Sequence, residues 1–324
     1  MADEQIGDEQ RLYRWRRIRR LTALGYFAVL AWVVAVEGVP TSRLSLMSLT
    51  VLGLAIASLG HGWNRLLRVV LDWLPFSVVL IVYDQSRTLA TAINLPLHES
   101  DIASAESWLF GGNIPSVWMQ HQFYTPGSVH WYDALATLVY VTHFLATPVL
   151  AAVLWLRNRA VWLAYITRVV VLAFAGLVTY VLFPEAPPWL AARDGLIEPV
   201  TRLSSRGWIW LHVGDLDDLI ETAQRDGANP VAAMPSLHVA FAVLVALAVA
   251  GRITSRWRYL LALYPIAMGV TLVYTGEHYV LDLAAGVAYA LGVQALVSRW
   301  EWRRERSAGE GSRTDDERET VAVS

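Results

Sequence analysis

The chain has neither cysteine nor lysine among its 324 residues. Without cysteine there are no disulfides, thiolate nucleophiles or cysteine metal clusters, and any redox compartment is compatible with the sequence. Without lysine there is no Schiff-base chemistry, and all 26 cationic side chains are arginine. Charge is scarce too. Only 17% of residues are charged against 55% hydrophobic, with a mean hydropathy of +0.40, a balance foreign to ordinary soluble domains. No internal repeat is evident, and no cleavable leader is expected, because the first apolar run follows a dense basic cluster and lacks a small-residue cleavage site. What the chain does have is long apolar runs and 15 tryptophans.

A membrane crossing takes roughly 20 apolar residues. Crossings are therefore expected near 21–38, 44–60, 69–92, 131–156, 161–183, 236–251, 259–275 and 279–298, which makes the fold all-α, a polytopic helical membrane protein of about eight transmembrane helices. The second run is short, and Asp72 and Pro75 interrupt the third. Residues 1–20 read as a cytoplasmic, basic amphipathic N-terminus. Its six arginines between Arg11 and Arg20 interleave with Leu12, Tyr13, Trp15 and Ile18, a composition suited to an anionic lipid surface. The direct junction with an apolar run argues against nucleic acid as partner. Residues 21–298 form the transmembrane domain, and 299–324 a polar tail expected to be disordered and cytoplasmic.

Arginine also sets the orientation. Arg65 and Arg68, Arg157 and Arg159, Arg252, Arg256 and Arg258, and Arg299, Arg303, Arg304 and Arg306 fall on the same side as the N-terminus, whereas 93–130 has no arginine. The connection 184–235 does carry Arg193, Arg202, Arg206 and Arg225, but more acids accompany them. The protein is thus expected to cross the cell membrane many times, with both termini cytoplasmic. The aromatic residues of 93–130 suggest helices lying in the outer interface, and Pro184, Pro187 and Pro188 end the fifth run abruptly.

Two short stretches carry the chemistry: Met234-Pro235-Ser236-Leu237-His238, and Glu277-His278-Tyr279-Val280-Leu281-Asp282. Both lie where a polar connection enters an apolar run on the non-cytoplasmic face. Ser236 is a good N-cap, and a helix beginning there offers free N–H groups to an anion, with the Ser236 hydroxyl as an added donor. The i,i+4 spacing sets His278 and Asp282 on one helical face, where the carboxylate can hold one ring nitrogen and leave the other as a nucleophile. A second histidine, His238, can protonate the leaving oxygen and later activate the acceptor. Membrane-embedded charge is rare without such a purpose.

Ala233-Met234-Pro235-Ser236-Leu237-His238 and His278-Tyr279-Val280-Leu281-Asp282-Leu283 resemble the second and third motifs of the type 2 phosphatidic acid phosphatase superfamily. Closest is its inositol phosphorylceramide synthase-like branch, the inositolphosphotransferases, whose third motif also begins His-Tyr with Asp four residues on. The likeness extends loosely over 65–298, including Pro184 to Trp189. It implies a six-helix phosphatase/phosphotransferase core, catalytic His278, His238 and Asp282, and action on a membrane lipid through a phosphohistidine, with no metal and no cofactor. Two family features are absent: the first-motif Lys and Arg-Pro, and an arginine six residues before the attacking histidine, where this chain has Leu272. Arg87, at the outer end of the third run, is the candidate substitute for phosphate binding, and Arg193 a weaker one. Tyr279 and His143 are assigned to the substrate pocket. A core role competes for His143, which lies roughly 18 Å along its helix from Trp131, too deep for the phosphate. His61, His98, His121, His130 and His212 read as loop residues.

Transfer of a phosphoalcohol to a sugar, inositol or lipid hydroxyl, hydrolysis of a lipid phosphate with water as acceptor, and a transporter, flippase or inactive scaffold using the same residues all remain open on sequence. The lipid, the acceptor and the oligomeric state are not encoded legibly.

Overall fold

The computed structural model of the chain describes residues 2–37, 43–93, 95–212 and 230–322. Among these there is no β-strand, only isolated backbone bridges. The elements are α1 (Ala2–Glu37), α2 (Arg43–Ser58), α3 (Trp63–Ile93), α4 (Ser100–Leu109), α5 (Pro115–Phe123), α6 (Trp131–Arg157), α7 (Arg159–Leu182), α8 (Pro188–Arg193), α9 (Gly207–Trp210), α10 (Leu237–Ala250), a 3₁₀ turn at Arg256–Ala262, α11 (Leu263–Tyr274) and α12 (Val280–Ala322).

The eight expected crossings all fall on helix. Four helical stretches are long and apolar enough to cross a membrane, namely Trp131–Arg157, Arg159–Leu182, Arg256–Tyr274 and Val280–Ser307, while Met47–Ser58 and Leu237–Ala250 are apolar but shorter. At the two ends α1 starts at Ala2 and α12 continues to Ala322. Their Glu, Arg, Gln and Ala residues are good helix formers, and low hydropathy reports exposure, not backbone conformation.

Local signals explain the α6–α7 hairpin. His130 N donates to Asp133 Oδ2 at 2.8 Å, forming part of a capping box at the start of α6. At the far end a single residue separates the two helices: Asn158 accepts from Ala160 N and Val161 N at 3.0 and 3.2 Å, capping α7. Pro184 then stops α7 at Leu182.

Helix α10 is the hub. All of its 14 residues except His238 are apolar, and a helix apolar on every side belongs inside a bundle. It packs against α6, α7, α11 and α12, burying Leu237, Val239, Ala240, Val243 and Leu244 with Val169, Leu172, Met268, Leu272 and Val293. At about 1.5 Å per residue it is only about 21 Å long. Helix α3 lies against α7, with Trp73 6.2 Å from Trp162.

The connections at the α10 start are stitched over the bundle. His98 N donates to Pro184 O and Ala186 N to His98 O, and Glu185 N donates to Val231 O, so the segment after α7 is threaded between two other loops. Gln120 is almost fully buried and bonds Thr201 and the Tyr274 carbonyl, tying α5 and the 200–206 loop to the end of α11. Trp108 and Trp118 stay exposed on α4 and α5, as befits interface helices.

Candidate active site

The chain leaves α11 at Tyr274, turns, and enters α12 at Val280. Gly276 permits that turn: its φ is +73°, and a Cβ there would strike the Val200 side chain. His278 precedes the new helix, and Asp282 sits in its first turn. The Asp282 carboxylate accepts from Tyr279 N at 2.9 Å and lies 3.2 Å from His278 Nδ1. One side chain therefore caps the helix and orients the ring.

Main-chain contacts bring α10 to this corner. Ser236 N donates to Asp282 O at 3.0 Å, and Gly286, one turn along α12, lacks the Cβ that would collide with Ser236 O. This approach sets His238 Nδ1 3.2 Å from His278 Nε2. Because His278 donates its Nδ1–H to Asp282, Nε2 is left as an acceptor, and the proton between the two rings belongs to His238.

The other side of His238 is aromatic. Tyr140 stacks on it at 5.3 Å, and His143 lies 4.1 Å away, ring centre to ring centre. His143 meets His238 where α6 packs against α10. Arg202 reaches the same cluster by hydrogen-bonding Tyr140. It also donates to both oxygens of Glu277, at 2.7 and 3.1 Å, and covers the Trp189 ring at 5.1 Å. Burial opposes ionisation of Glu277, but the charge and hydrogen bonds of Arg202 hold its carboxyl below the usual range.

Behind Asp282 lie two more acids. Glu106 of α4 and Glu185 of the segment after α7 are fully buried, as are Asp282 and Tyr279. Glu106 Oε1 accepts from Val280 N and Leu281 N, satisfying amides that a helix start otherwise leaves unpaired. Burial, together with the charge of Asp282, pushes Glu106 up to about 7 even though these N–H bonds pull it down. Tyr279 neighbours Glu185, Asp282 and Glu106.

Of the residues singled out in the sequence, the structure unites His278, Asp282, His238, Ser236, Tyr279 and His143. The Ser236 hydroxyl is buried and makes no hydrogen bond among the described residues. Arg193 is exposed, paired with Asp194 at 3.0 Å and 5.9 Å from the Trp189 ring centre. The Arg87 side chain lies outside the described residues. Of the histidines expected in loops, His98 pairs with Asp101, whereas His121 lies in α5 and pairs with the distant Glu198. Glu106, Glu185, Glu277, Arg202 and Tyr140 carry no sequence signal beyond the adjacency of Glu277 to His278.

A model of the PAP2 superfamily matches residues 101–296, a span holding every one of these residues except Arg87 and His98. The chain belongs to the PAP2 superfamily. It is therefore a helical membrane protein of the lipid phosphatase and phosphotransferase type. It is 30% identical over 231 residues, covering 67% of this chain and 73% of the relative, to the phosphoinositol dihydroceramide synthase of Bacteroides thetaiotaomicron. The likeness to the inositol phosphorylceramide synthase-like branch of the PAP2 superfamily thus extends well beyond the two motifs. No solved structure matches the chain.

Proposed function

We propose that this PAP2 protein transfers the phosphoalcohol headgroup of a membrane phospholipid to a lipid hydroxyl through a phosphohistidine on His278. The observation that carries the reading is the continuous Asp282–His278–His238 relay, with spacings of 3.2 and 3.2 Å. Asp282 keeps the proton on His278 Nδ1, so the Nε2 lone pair attacks phosphorus, the phosphoester bond to the diacylglycerol oxygen breaks, and His238 gives that oxygen its proton. In the second half-reaction His238 takes the proton of the acceptor hydroxyl, whose oxygen displaces His278 from phosphorus. For phosphate entry the direct contact between the two rings opens.

The Ser236 hydroxyl, the N-terminus of α10 and Arg202 are the proposed phosphate ligands, with Arg87 and Arg193 the earlier candidates from sequence. Tyr140 and His143 border the headgroup, whereas Tyr279, assigned to the substrate pocket from sequence, is buried with Glu185 and Glu106 behind Asp282. The choice of transfer over hydrolysis rests on the branch likeness and on the name of the Bacteroides relative. The arginine distribution supports a site on the non-cytoplasmic side of the cell membrane, with both termini cytoplasmic.

The test uses purified protein with phosphatidylinositol labelled in the headgroup, with and without a ceramide acceptor. Wild type is expected to give the labelled transfer product and an acid-labile phosphoenzyme, and His278→Ala neither. Turnover retained in His278→Ala overturns the nucleophile. Release of free headgroup phosphate regardless of acceptor replaces transfer by hydrolysis.

A further inference from the structure

Glu185 is the buried group that the mechanism above leaves idle. Its backbone is fixed on both sides, N–H to Val231 O and the neighbouring residues to His98, and its side chain is fully buried. No N–H or hydroxyl donor among the described residues reaches either Glu185 oxygen or Asp282 Oδ1, yet the two carboxyl groups are in hydrogen-bonding contact with each other. Ionised carboxylates only accept. Two of them in a dry corner repel, and the contact becomes a bond only when one holds a proton. Among the described residues the titratable groups facing Glu185 offer no counter-charge: they are Asp282 and Tyr279 at the start of α12 and Glu106 from α4. The described His, Asp and Glu residues form no group that could hold a metal ion in their place.

We infer that Glu185 is a protonated carboxylic acid that donates its hydrogen bond to Asp282 Oδ1, and so positions the carboxylate that orients His278. Asp282 has already committed Oδ2 to Tyr279 N and His278 Nδ1. A donor on Oδ1 fixes the remaining rotation of the carboxylate and spares it a second unsatisfied oxygen. The proton is placed on Glu185 because Asp282 already accepts from the helix-start amide and the imidazole N–H. Burial first, then the charge of Asp282, raise the Glu185 carboxyl far above its ordinary range. The role rests on the catalytic reading of the relay, whereas the proton on Glu185 does not depend on it.

Glu185→Gln and Glu185→Leu separate this from a plain packing role. The amide NH₂ of glutamine can donate as the acid does, so Glu185→Gln is expected to keep kcat within a factor of about 3, whereas Glu185→Leu, which leaves Asp282 Oδ1 orphaned, lowers kcat roughly 10- to 100-fold with KM unchanged. Infrared difference spectra of the full-length protein in nanodiscs, taken across an alkaline titration, are expected to show the carbonyl stretch of a protonated acid that vanishes in Glu185→Gln. A Gln variant as impaired as Leu overturns the inference, because it makes the ionised carboxylate the working form. Full activity of the Leu variant overturns it too, as does an acid band unchanged by Glu185→Gln. Should Leu fail to fold, the Gln activity and the band decide. An acid band that disappears in Glu185→Gln, in a wild-type protein with no turnover, rejects the proposed reaction but leaves the protonated Glu185 standing.

Discussion

Arg168 meets Glu301 at 2.7 Å and Arg159 meets Asp72 at 2.6 Å in the half of the bundle remote from the histidines. In the other half, Glu106, Glu185 and Asp282 lie together with no arginine paired to any of them among the described residues. Both halves hold charge that the apolar interior disfavours, but they settle it differently. The remote half uses opposite charges, each pair also held by hydrogen bonds such as Trp155 to Asp72 and Arg168 to Ser298. The site half uses helix-start amides, an imidazole and protons. An ion pair is inert once formed, whereas an acid excess satisfied by protons can respond when a phosphate arrives and proton transfer begins. Arg202, the arginine near the relay among the described residues, has much of its charge taken up by Glu277.

Asp282→Asn is expected to have the largest effect of any single change in this contrast. The amide can present its NH₂ to His278 and select the wrong tautomer, removing the lone pair from Nε2, so turnover falls on the order of 10⁴-fold while the fold persists. Phosphoenzyme trapping together with a melting curve checks both halves of that statement, and a merely halved rate would show that the relay does not depend on its carboxylate. Arg168→Gln tests the remote half. Leaving Glu301 without its partner costs about 1–3 kcal/mol of stability, read in a denaturation series, with kcat per folded molecule unchanged. A drop in kcat instead would mean that the two halves are coupled.

The gentlest effect is expected from Glu106→Gln, whose amide oxygen can still accept from Val280 N and Leu281 N. Burial raises the folded-state value of Glu106 from the ordinary 4.5 to about 7. A group raised on folding contributes stability that is fully present below its unfolded value and is lost as pH rises through the folded one. Wild-type melting temperature should therefore slope downward between those two values, and the glutamine variant should lack that component. An identical slope in both proteins would remove Glu106 from the proton-held half of the comparison.

Legibility in the sequence followed the range of the interaction. His278 and Asp282 are four residues apart in one helix, so their pairing is a property of helical geometry. Ser236 and His238 show through the proline before them and the apolar run after them. The helical crossings show because a bilayer demands long apolar stretches. Glu106 was invisible for the opposite reason. It lies among tryptophans in a connection, where an acid ordinarily faces water, and the amides it caps lie 174 residues away. Arg202 looked like one more loop arginine in a connection with many acids, and Glu185 like a charge after a proline. The neighbour of His143 was not legible, because its contact with the His238 ring depends on α6 packing against α10.

The sequence by itself determined the helical membrane class, the two histidine motifs and the orientation of His278 by Asp282, since hydropathy and i,i+4 spacing act within a few turns of chain. The fold alone decided that the two histidines meet at 3.2 Å, through Ser236 N on Asp282 O and the missing Cβ at Gly286. It also decided that three acids share one dry pocket. Those outcomes depend on backbones from distant segments arriving at the same place, and no local pattern of residue types records such an arrival.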